Sequence, residues 1–213
     1  MTTNFGADLK VLVIGNAFTG KTSFVRRWIG GQFSNSYKAT IVPDFQYKII
    51  NINNTIFRIH LWDLAGQDKN VFITKTFGKD CFGALILCEA KNEESLQSTV
   101  SWKKALDDEI TFCDGSKVPV FLIENKIDLY ENEDENQERL GQFGKDNEFD
   151  SWYRVSAKTG KNINETMNDI LVHIITKLNS CEKVEEKNEE KVERKKLNNV
   201  ASTVVKEEKK KCC

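Results

Sequence analysis

Residues 9–22 read LKVLVIGNAFTGKT, an apolar run that leads directly into a glycine-rich loop. A glycine, four residues, a second glycine, a lysine and a threonine form the pattern that holds phosphate groups between a strand and a helix. The apolar run supplies the strand, and apolar residues at 24, 25, 28 and 29 recur at helical spacing behind the loop. The stretch therefore predicts a strand–loop–helix unit with a phosphate site, and an ordinary glycine-containing turn is the alternative.

Each part of this loop has a predicted role. Backbone N–H groups converge at the N-terminus of the helix, where phosphate is favoured. Lys21 adds a full charge for the β- and γ-phosphates, and the Thr22 hydroxyl is a hard oxygen ligand for Mg²⁺. The Phe18 ring must point outward, toward solvent, a switch segment or a partner, and an inert surface side chain is the alternative. The predicted nucleotide-binding residues here are Gly15, Asn16, Ala17, Phe18, Thr19, Gly20, Lys21, Thr22 and Ser23.

A second motif, Asn125-Lys126-Ile127-Asp128, follows an apolar run at residues 118–123 and predicts which base is bound. The Asp128 carboxylate can accept hydrogen bonds from guanine N1–H and from the exocyclic amine. Adenine offers neither donor there and would leave the carboxylate unpaired. Asn125 can bond the base edge, and the Lys126 stem can pack on the base face. The motif therefore predicts GTP rather than ATP.

A third segment, Ser156-Ala157-Lys158, follows a short strand-like run at residues 152–155 and fits a loop that closes the base pocket. Sequences as short as these are common singly. Their order behind a phosphate loop is what makes them informative.

Residues for hydrolysis are predicted between these motifs, in Trp62-Asp63-Leu64-Ala65-Gly66-Gln67 and at Thr40. Asp63 can hold the Mg²⁺ shell, the Gly66 N–H can approach the γ-phosphate, and Gln67 can orient the attacking water. Thr40 can reach the metal and the γ-phosphate, and loss of that phosphate would release both loops. Singly, Thr40 and Gln67 would be solvated loop residues, but their spacing from the other motif residues favours the catalytic interpretation.

Strand-like and helical runs alternate along the chain after a hairpin turn at residues 51–54. This order predicts an α/β fold with one phosphate-loop domain over residues 8–178 and a flexible tail over 179–213. The expected sheet has six strands, is mostly parallel and carries helices on both faces, with nucleotide at the carboxyl ends of the strands. Predicted strands lie at residues 9–14, 45–50, 55–62, 84–88, 118–123 and 152–155, and later helices at 94–110 and 163–178.

Composition excludes several other classes of protein. A length of 213 residues with 39% apolar content fits one domain plus a tail, and a monomer is expected. The net charge of −1 argues against nucleic-acid binding. The longest apolar runs fall well short of the roughly 18 residues of a membrane span. Four of the six cysteines are scattered without metal-binding spacing, which favours reduced cytosolic thiols.

On these motifs, and on the segment FSNSYKATI at residues 33–41, the chain resembles the Rab-type small GTPases of the Ras superfamily. The resemblance implies a small-GTPase G domain in which Phe33 stacks on the guanine edge and Tyr37 lies in the same nucleotide-binding segment. It also implies that Phe45, Trp62 and Phe77 form the aromatic triad that presents an effector surface. Segments at residues 102–107, 114–119 and 152–165 resemble the Rab branch serving lysosome-related organelles and phagosomes.

Two departures from the Rab pattern stand in the switch segments. Val42-Pro43 replaces the usual Gly-Val of the first switch, so that a backbone donor is lost. Lys69-Asn70-Val71-Phe72 replaces the common Arg-Phe run of the second. The metal and water residues are retained, but partner identity is left open.

The tail reads Lys209-Lys210-Lys211-Cys212-Cys213 and is similar to the double-cysteine ending on which Rabs carry two geranylgeranyl groups. Two lipid chains anchor a protein stably, and nearby lysines add attraction to anionic lipid. Unmodified, exposed thiols at Cys212 and Cys213 are the alternative. The expected location is the cytoplasmic face of endosomal, lysosome-related or phagosomal membranes, with cycling through the cytosol.

The combined prediction is a membrane-anchored GTP/GDP molecular switch in vesicle trafficking, with GTP or GDP and Mg²⁺ as its cofactors. The resemblance implies slow hydrolysis assisted by an activating protein, and as further partners effectors, an exchange factor, Rab escort protein and GDP-dissociation inhibitor. A Rab-like scaffold that stays GTP-bound is the alternative, motivated by Phe18 and the altered second switch. A phosphate-loop ATPase or kinase is disfavoured by Asn125, Lys126 and Asp128.

Overall fold

A computed structural model describes residues 4–36, 39–40, 42–66, 76–132 and 137–181, with the backbone alone for residues 4 and 5. The strands are β1 (Asn4–Ile14), β2 (Asp44–Ile52), β3 (Thr55–Asp63), β4 (Gly83–Glu89), β5 (Val120–Asn125) and β6 (Ser151–Arg154). The helices are α1 (Lys21–Gly30), α2 (Glu93–Glu109), α3 (Gln137–Asp146) and α4, which begins at residue 163. A short 3₁₀ helix, Ile127–Leu129, follows β5.

Within the described residues the strands form one six-stranded sheet in the order β2-β3-β1-β4-β5-β6. β2 and β3 are antiparallel, whereas the other neighbouring strands pair in parallel. The antiparallel pair is the hairpin expected around the turn at Asn53 and Asn54, which both adopt positive φ. The predicted α/β fold with a mostly parallel sheet is confirmed.

The centre of the sheet is covered on both faces. Successive strand residues point to opposite faces, and all six residues of β5 and six of the seven in β4 are buried. In contrast, the edge strand β2 alternates between half-buried and exposed residues. α1 contacts β2 and β3, α2 contacts β4 and β5, and α3 contacts β6. The apolar runs of the sequence therefore form the core beneath the loops at the carboxyl ends of the strands.

Helices α1 and α2 begin and end where the sequence supplies local signals. α2 is capped by Asn92, whose side chain accepts a hydrogen bond from Ser95 N at 3.0 Å, and two glutamates follow in its first turn. α1 ends at Gly31, which takes a left-handed φ of 66° and donates its N–H to Arg27 O at 2.9 Å. Both helix ends thus satisfy backbone groups that would otherwise lack partners.

Several predicted boundaries were wrong. β5 begins at Val120 rather than at residue 118, because Pro119 precedes it and has no backbone N–H to donate. β1 begins at Asn4, five residues earlier than the apolar run suggested, because parallel pairing with β3 extends it. The ten-residue helix α3 was missed, since its sequence QERLGQFGKD has few apolar residues and two glycines.

The chain divides into two units, Met1–Ile174 and Ile175–Cys213. The first contains the sheet and helices α1 to α3, and residues 163–174 of it are helical. In the second, residues 175–181 are helical. Among the described residues, no helix is both long enough and apolar enough to cross a membrane. The predicted tail lies almost wholly outside the described residues, as do Cys212 and Cys213.

Candidate nucleotide-binding site

A cavity of about 550 Å³ opens where β1 and β5 end, and the predicted motifs converge on it. Its walls come from the loop before α1, the segment before β2, the loop after β3, and the loops after β5 and β6. The predicted site residues that line it are Ala17, Phe18, Gly20, Lys21, Thr22, Ser23, Phe33, Thr40, Gly66, Asn125, Lys126, Asp128, Ala157 and Lys158. Gln67 and Tyr37 lie outside the described residues.

The loop between β1 and α1 requires its glycines. Gly15 has a φ of 133°, and a Cβ there would lie 2.3 Å from Leu87 O. Gly20 has a φ of 86°, and a Cβ there would lie 2.5 Å from Asn125 Nδ2. Phe18 also takes a left-handed φ, 67°, which is costly for an aromatic residue. Its side chain is 61% exposed, as the predicted outward direction requires.

Lys21 is the buried cation of the loop. Its Nζ donates to Gly15 O at 3.0 Å and to Asn16 O at 2.9 Å, so that the ammonium is held inside the curve of the backbone. Burial lowers the pKa of Lys21 to about 8, and the charge of Asp63 opposes this shift. The loop therefore carries a desolvated positive charge at the place where a phosphate would be held.

Three oxygen-bearing side chains meet beside the lysine. Thr22 donates its hydroxyl to Asp63 Oδ2 and shares a 2.8 Å hydrogen bond with the Thr40 hydroxyl. Asp63 is 1% exposed, and its Oδ1 is a buried atom without a hydrogen-bond partner among the described residues. Burial raises the pKa of Asp63 to about 6, against the opposing effects of the Thr22 hydrogen bond and the Lys21 charge. A buried, unpartnered carboxylate oxygen beside two hydroxyls fits Mg²⁺, which prefers hard oxygen ligands.

Gly66 passes directly over the phosphate loop. Its carbonyl oxygen accepts a hydrogen bond from Ala17 N at 3.0 Å. A Cβ at Gly66 would lie 2.5 Å from Ala17 N and 2.5 Å from Lys21 Nζ. Only glycine allows the backbone after β3 to approach the loop this closely.

The base-recognition segments are tied to each other and to the phosphate loop. Asn125 is buried, donates Nδ2 to Thr19 O at 2.9 Å and accepts a hydrogen bond from Ala157 N at 3.0 Å. Ser156 donates its hydroxyl to Asp128 Oδ1 at 2.6 Å. Asn125 therefore joins three loops, a structural task that the motif did not reveal.

Lys126 has a left-handed φ of 66° and directs its ammonium to Glu89 Oε1 at 2.7 Å. That ion pair extends the Lys126 stem beside the cavity, where a flat base could pack on it. The Lys126 side chain is therefore held at its ammonium end by the ion pair with Glu89 and at its backbone end by the strand β5.

Arg27 is a site residue that sequence reasoning missed. It donates Nε to Ala157 O at 2.7 Å and an Nη to Lys158 O at 2.5 Å, and so joins α1 to the loop after β6. No local pattern identifies this role, because its partners lie 130 and 131 residues away in sequence. Arg27 itself does not line the cavity; the lining residues that sequence reasoning missed were Arg26, Gln32, Ser34, Asn35, Ser36, Ala39 and Leu129.

The three residues of the predicted aromatic triad lie against one another. The rings of Phe45 and Trp62 meet edge-on at 4.3 Å between centroids, and Trp62 lies 5.9 Å from Phe77. Phe45 is 55% exposed, and Lys10 Nζ lies 4.0 Å from the Trp62 ring centroid. Three separate segments thus present one aromatic surface.

The fold, the phosphate loop and the guanine-type motifs define a phosphate-loop GTPase. The Ras family model matches residues 10–177, and the chain belongs to the Ras family, whose members are GTPases. Its relatives include the Ras-related protein Rab-32 of Sus scrofa, 33% identical over 205 residues that cover 96% of this chain and 88% of the relative.

Two further relatives are similar over shorter spans. The Ras-related protein Rab-7L1 of Homo sapiens is 36% identical, covering 74% of this chain and 78% of the relative. The Ras-related protein Rab-32A of Dictyostelium discoideum is 34% identical, covering 78% and 77%. These relatives confirm the resemblance to Rab-type small GTPases.

Proposed function

We propose that this GTPase is a membrane-anchored switch of vesicle trafficking that displays an effector surface in its GTP form. The observation that carries the proposal is the single cavity at which the phosphate loop, Thr40, Gly66 and the Asp128 segment meet. A γ-phosphate bound in this cavity can therefore contact the segments that precede β2 and follow β3, and so change the loops that border the aromatic triad.

The chain's own residues would divide the work of hydrolysis. Lys21 and the backbone N–H groups of its loop hold the phosphates, and Asp128 selects guanine. Thr22, Thr40 and Asp63 would hold Mg²⁺, which when bound supplies positive charge against the charge developing on the phosphate oxygens. Gln67 orients the attacking water.

The switch itself would be the contact of Thr40 and Gly66 with the γ-phosphate. Thr40 already bonds the Thr22 hydroxyl, and Gly66 already lies against the phosphate loop, which supports this assignment. Loss of the γ-phosphate removes contacts to both segments. Phe45, Trp62 and Phe77 would then lose the arrangement that an effector binds.

Anchoring is proposed to use geranylgeranyl groups on Cys212 and Cys213, delivered with Rab escort protein and extracted by GDP-dissociation inhibitor. An exchange factor and an activating protein would set the cycle. The proposed location is the cytoplasmic face of endosomal, lysosome-related or phagosomal membranes. Similarity to Rab-32 and Rab-7L1 supports that branch.

The test begins with the nucleotide that the purified G domain releases on denaturation, followed by single-turnover hydrolysis of GTP. We expect bound GDP and measurable turnover, which Gln67→Leu should abolish. Asp128→Asn should shift preference from guanine toward xanthine nucleotides. Unchanged GTP affinity in Asp128→Asn would refute the base site, and turnover that persists in Gln67→Leu would refute the role of Gln67.

A second candidate function is a scaffold that stays GTP-bound. The exposed aromatic ring of Phe18, on a left-handed backbone at the mouth of the cavity, favours it. An aromatic ring there restricts the approach of an activating protein's side chain to the phosphates. Purified protein that contains GTP and shows no turnover, even with Gln67 intact, would select the scaffold over the switch.

A further inference from the structure

A carboxylate is buried near the end of strand β5, after four apolar residues. Glu124 is 4% exposed, and all of its strand neighbours are buried as well. Its Oε2 accepts a hydrogen bond from Arg154 Nε at 2.8 Å, and its Oε1 accepts one from the Tyr130 hydroxyl at 2.8 Å. The Arg154 guanidinium also lies 4.9 Å from the Tyr130 ring centroid. We refer to Glu124, Tyr130 and Arg154 as the Glu124 cluster.

Stability is a poor explanation for this cluster. Glu124 and Arg154 have side chains only 5% and 12% exposed, so both charges have given up most of their hydration. Apolar side chains of similar volume are often at least as stable in such a place. What an apolar cluster cannot supply is direction, because hydrogen bonds between charged groups fix both distance and angle. The main contribution of the cluster is therefore to fix the distances and angles between its three residues.

Each member of the cluster adjoins a segment proposed to recognise guanine. Glu124 immediately precedes Asn125 at the end of β5. Tyr130 closes the short helix Ile127–Leu129, which contains Asp128. Arg154 ends β6, two residues before Ser156. The Glu124 carboxylate thus joins residues that flank the segment 125–128 on both sides and precede the segment 156–158.

Backbone hydrogen bonds reinforce only part of this arrangement. Val155 N donates to Glu124 O at 2.8 Å, and Ile127 N donates to Val155 O at 3.2 Å. The Asn162 side-chain amide donates to Arg154 O at 2.8 Å, which fixes the far end of the loop after β6. The Tyr130 hydroxyl adds a side-chain link from the end of the short helix to the same strand. The same hydroxyl also accepts a hydrogen bond from Lys91 N at 3.3 Å, so the cluster acts on the segment around Asp128 together with other contacts.

We propose that the Glu124 cluster is a positioning network that sets where Asp128 and Ser156 lie relative to the base, and thereby sets selectivity for guanine over hypoxanthine. This inference rests on the proposed guanine site. Hypoxanthine lacks the exocyclic amine, so it forgoes one of the two hydrogen bonds expected at Asp128. The ratio of GDP affinity to inosine diphosphate affinity therefore reports the placement of that carboxylate.

The experiment measures the dissociation constants of GDP and inosine diphosphate, together with the thermal midpoint, for the full chain and its variants. In Glu124→Gln we expect the preference for GDP to fall by about tenfold, the effect of roughly one hydrogen bond to a charged group. Tyr130→Phe removes a single hydroxyl, keeps the ring in place, and should lower the preference in the same direction. If Glu124→Gln does not fold, Tyr130→Phe still tests the proposal.

Two further variants separate positioning from stability. The triple variant Glu124→Leu/Tyr130→Phe/Arg154→Met replaces the cluster by apolar side chains, and should recover the thermal midpoint without recovering the preference for GDP. The control is Asp107→Asn on α2, which removes the charge that pairs with the buried Lys103 at 2.7 Å and with the exposed Lys117 at 3.0 Å. It should lower the thermal midpoint and leave the nucleotide preference unchanged.

Wild-type preference for GDP in the triple variant would overturn the proposal. So would a preference that follows the thermal midpoint across all variants, Asp107→Asn included. Failure of the guanine site itself looks different: the wild-type chain would bind both nucleotides equally, or Asp128→Asn would leave GDP affinity unchanged.

Discussion

Among single residues, Phe18 has the backbone conformation that departs most from what its residue type prefers. Its φ of 67° is one that glycine adopts freely and an aromatic residue adopts at a cost. Asn53, with a φ of 51° in the β2–β3 turn, is under less strain because asparagine tolerates this region. Strain held at the mouth of a ligand cavity is typical of functional positions.

Replacement of Phe18 by glycine should therefore stabilise the protein. We expect the free energy of unfolding to rise by about 1 kcal/mol, because the strain is relieved and an exposed ring contributes little packing. Urea unfolding of the GDP-bound protein measures the change, with Asn53→Gly as a control that should gain less. A clear loss of stability in Phe18→Gly would mean that the ring makes contacts worth more than the strain.

The cysteines differ sharply in reactivity because they differ in burial. Burial raises the pKa of the Cys81 thiol to about 11 and raises the pKa of Cys88 as well, whereas Cys113 is exposed. The thiolate is the reactive form, so raising the pH to 8 leaves Cys81 and Cys88 protonated as well as shielded. Both cysteines are buried in the core.

Brief alkylation at pH 8 should label Cys113 and spare Cys81 and Cys88 until the protein is unfolded. Peptide mass spectrometry identifies the labelled residues, and the same reaction in denaturant provides the reference for full labelling. Rapid labelling of Cys88 in the folded protein would show that strand β4 opens readily.

Among the secondary-structure elements, α3 packs closely against β6 because one of its residues is a glycine, which has no Cβ. Gly144 is buried against Trp152 of β6, and a Cβ at Gly144 would lie 2.4 Å from Trp152 Cε3. At Gly141, one turn earlier, the nearest contact of a Cβ would be 3.4 Å, an ordinary distance. The two glycines have the same intrinsic helix propensity, but only Gly144 lacks room for a Cβ against Trp152.

Gly144→Ala should destabilise the protein by about 1–3 kcal/mol, because α3 or Trp152 must shift. Gly141→Ala is the matched control and should stabilise by up to about 1 kcal/mol, the helix-propensity gain of alanine. Urea midpoints of the two variants give the comparison. Equal effects would show that Trp152 moves aside without cost.

At the scale of the whole molecule, the parallel sheet brings distant motifs together. Residues 15, 125 and 156 follow three strands whose carboxyl ends lie along one edge, and the cavity forms there. The anchoring proposed for the tail is independent of this geometry, because it depends on lipid attached to Cys212 and Cys213.

The variant Cys212→Ser/Cys213→Ser, expressed in a eukaryotic cell, should remain in the supernatant after membrane sedimentation, whereas the unmodified chain should sediment. Each single variant should bind membranes weakly and reversibly, because one lipid chain gives only marginal anchoring. Retention of the double variant on membranes would contradict the lipid anchor and point to a protein-mediated attachment.

The amino-acid sequence alone was enough to predict the order of the strands along the chain, the phosphate loop and the guanine motif. Strictly local patterns encode these features: apolar runs of strand length, glycines where the backbone must turn tightly, and residue types whose chemistry fits phosphate and guanine. The six-stranded, mostly parallel sheet and the position of the cavity could also be predicted. Crossover connections between parallel strands allow few alternative topologies.

The contacts that hold those motifs in place could be seen only in the folded structure. Arg27 and Glu124 carry no local signal of their roles, because their partners Ala157 and Arg154 lie 130 and 30 residues away in sequence. Helix α3 was missed because it has few apolar residues, and one of its buried positions is Gly144, which packs against Trp152 of a distant strand. The physical reason is the same in each case: hydrogen bonds and packing between distant segments exist only after the chain has folded.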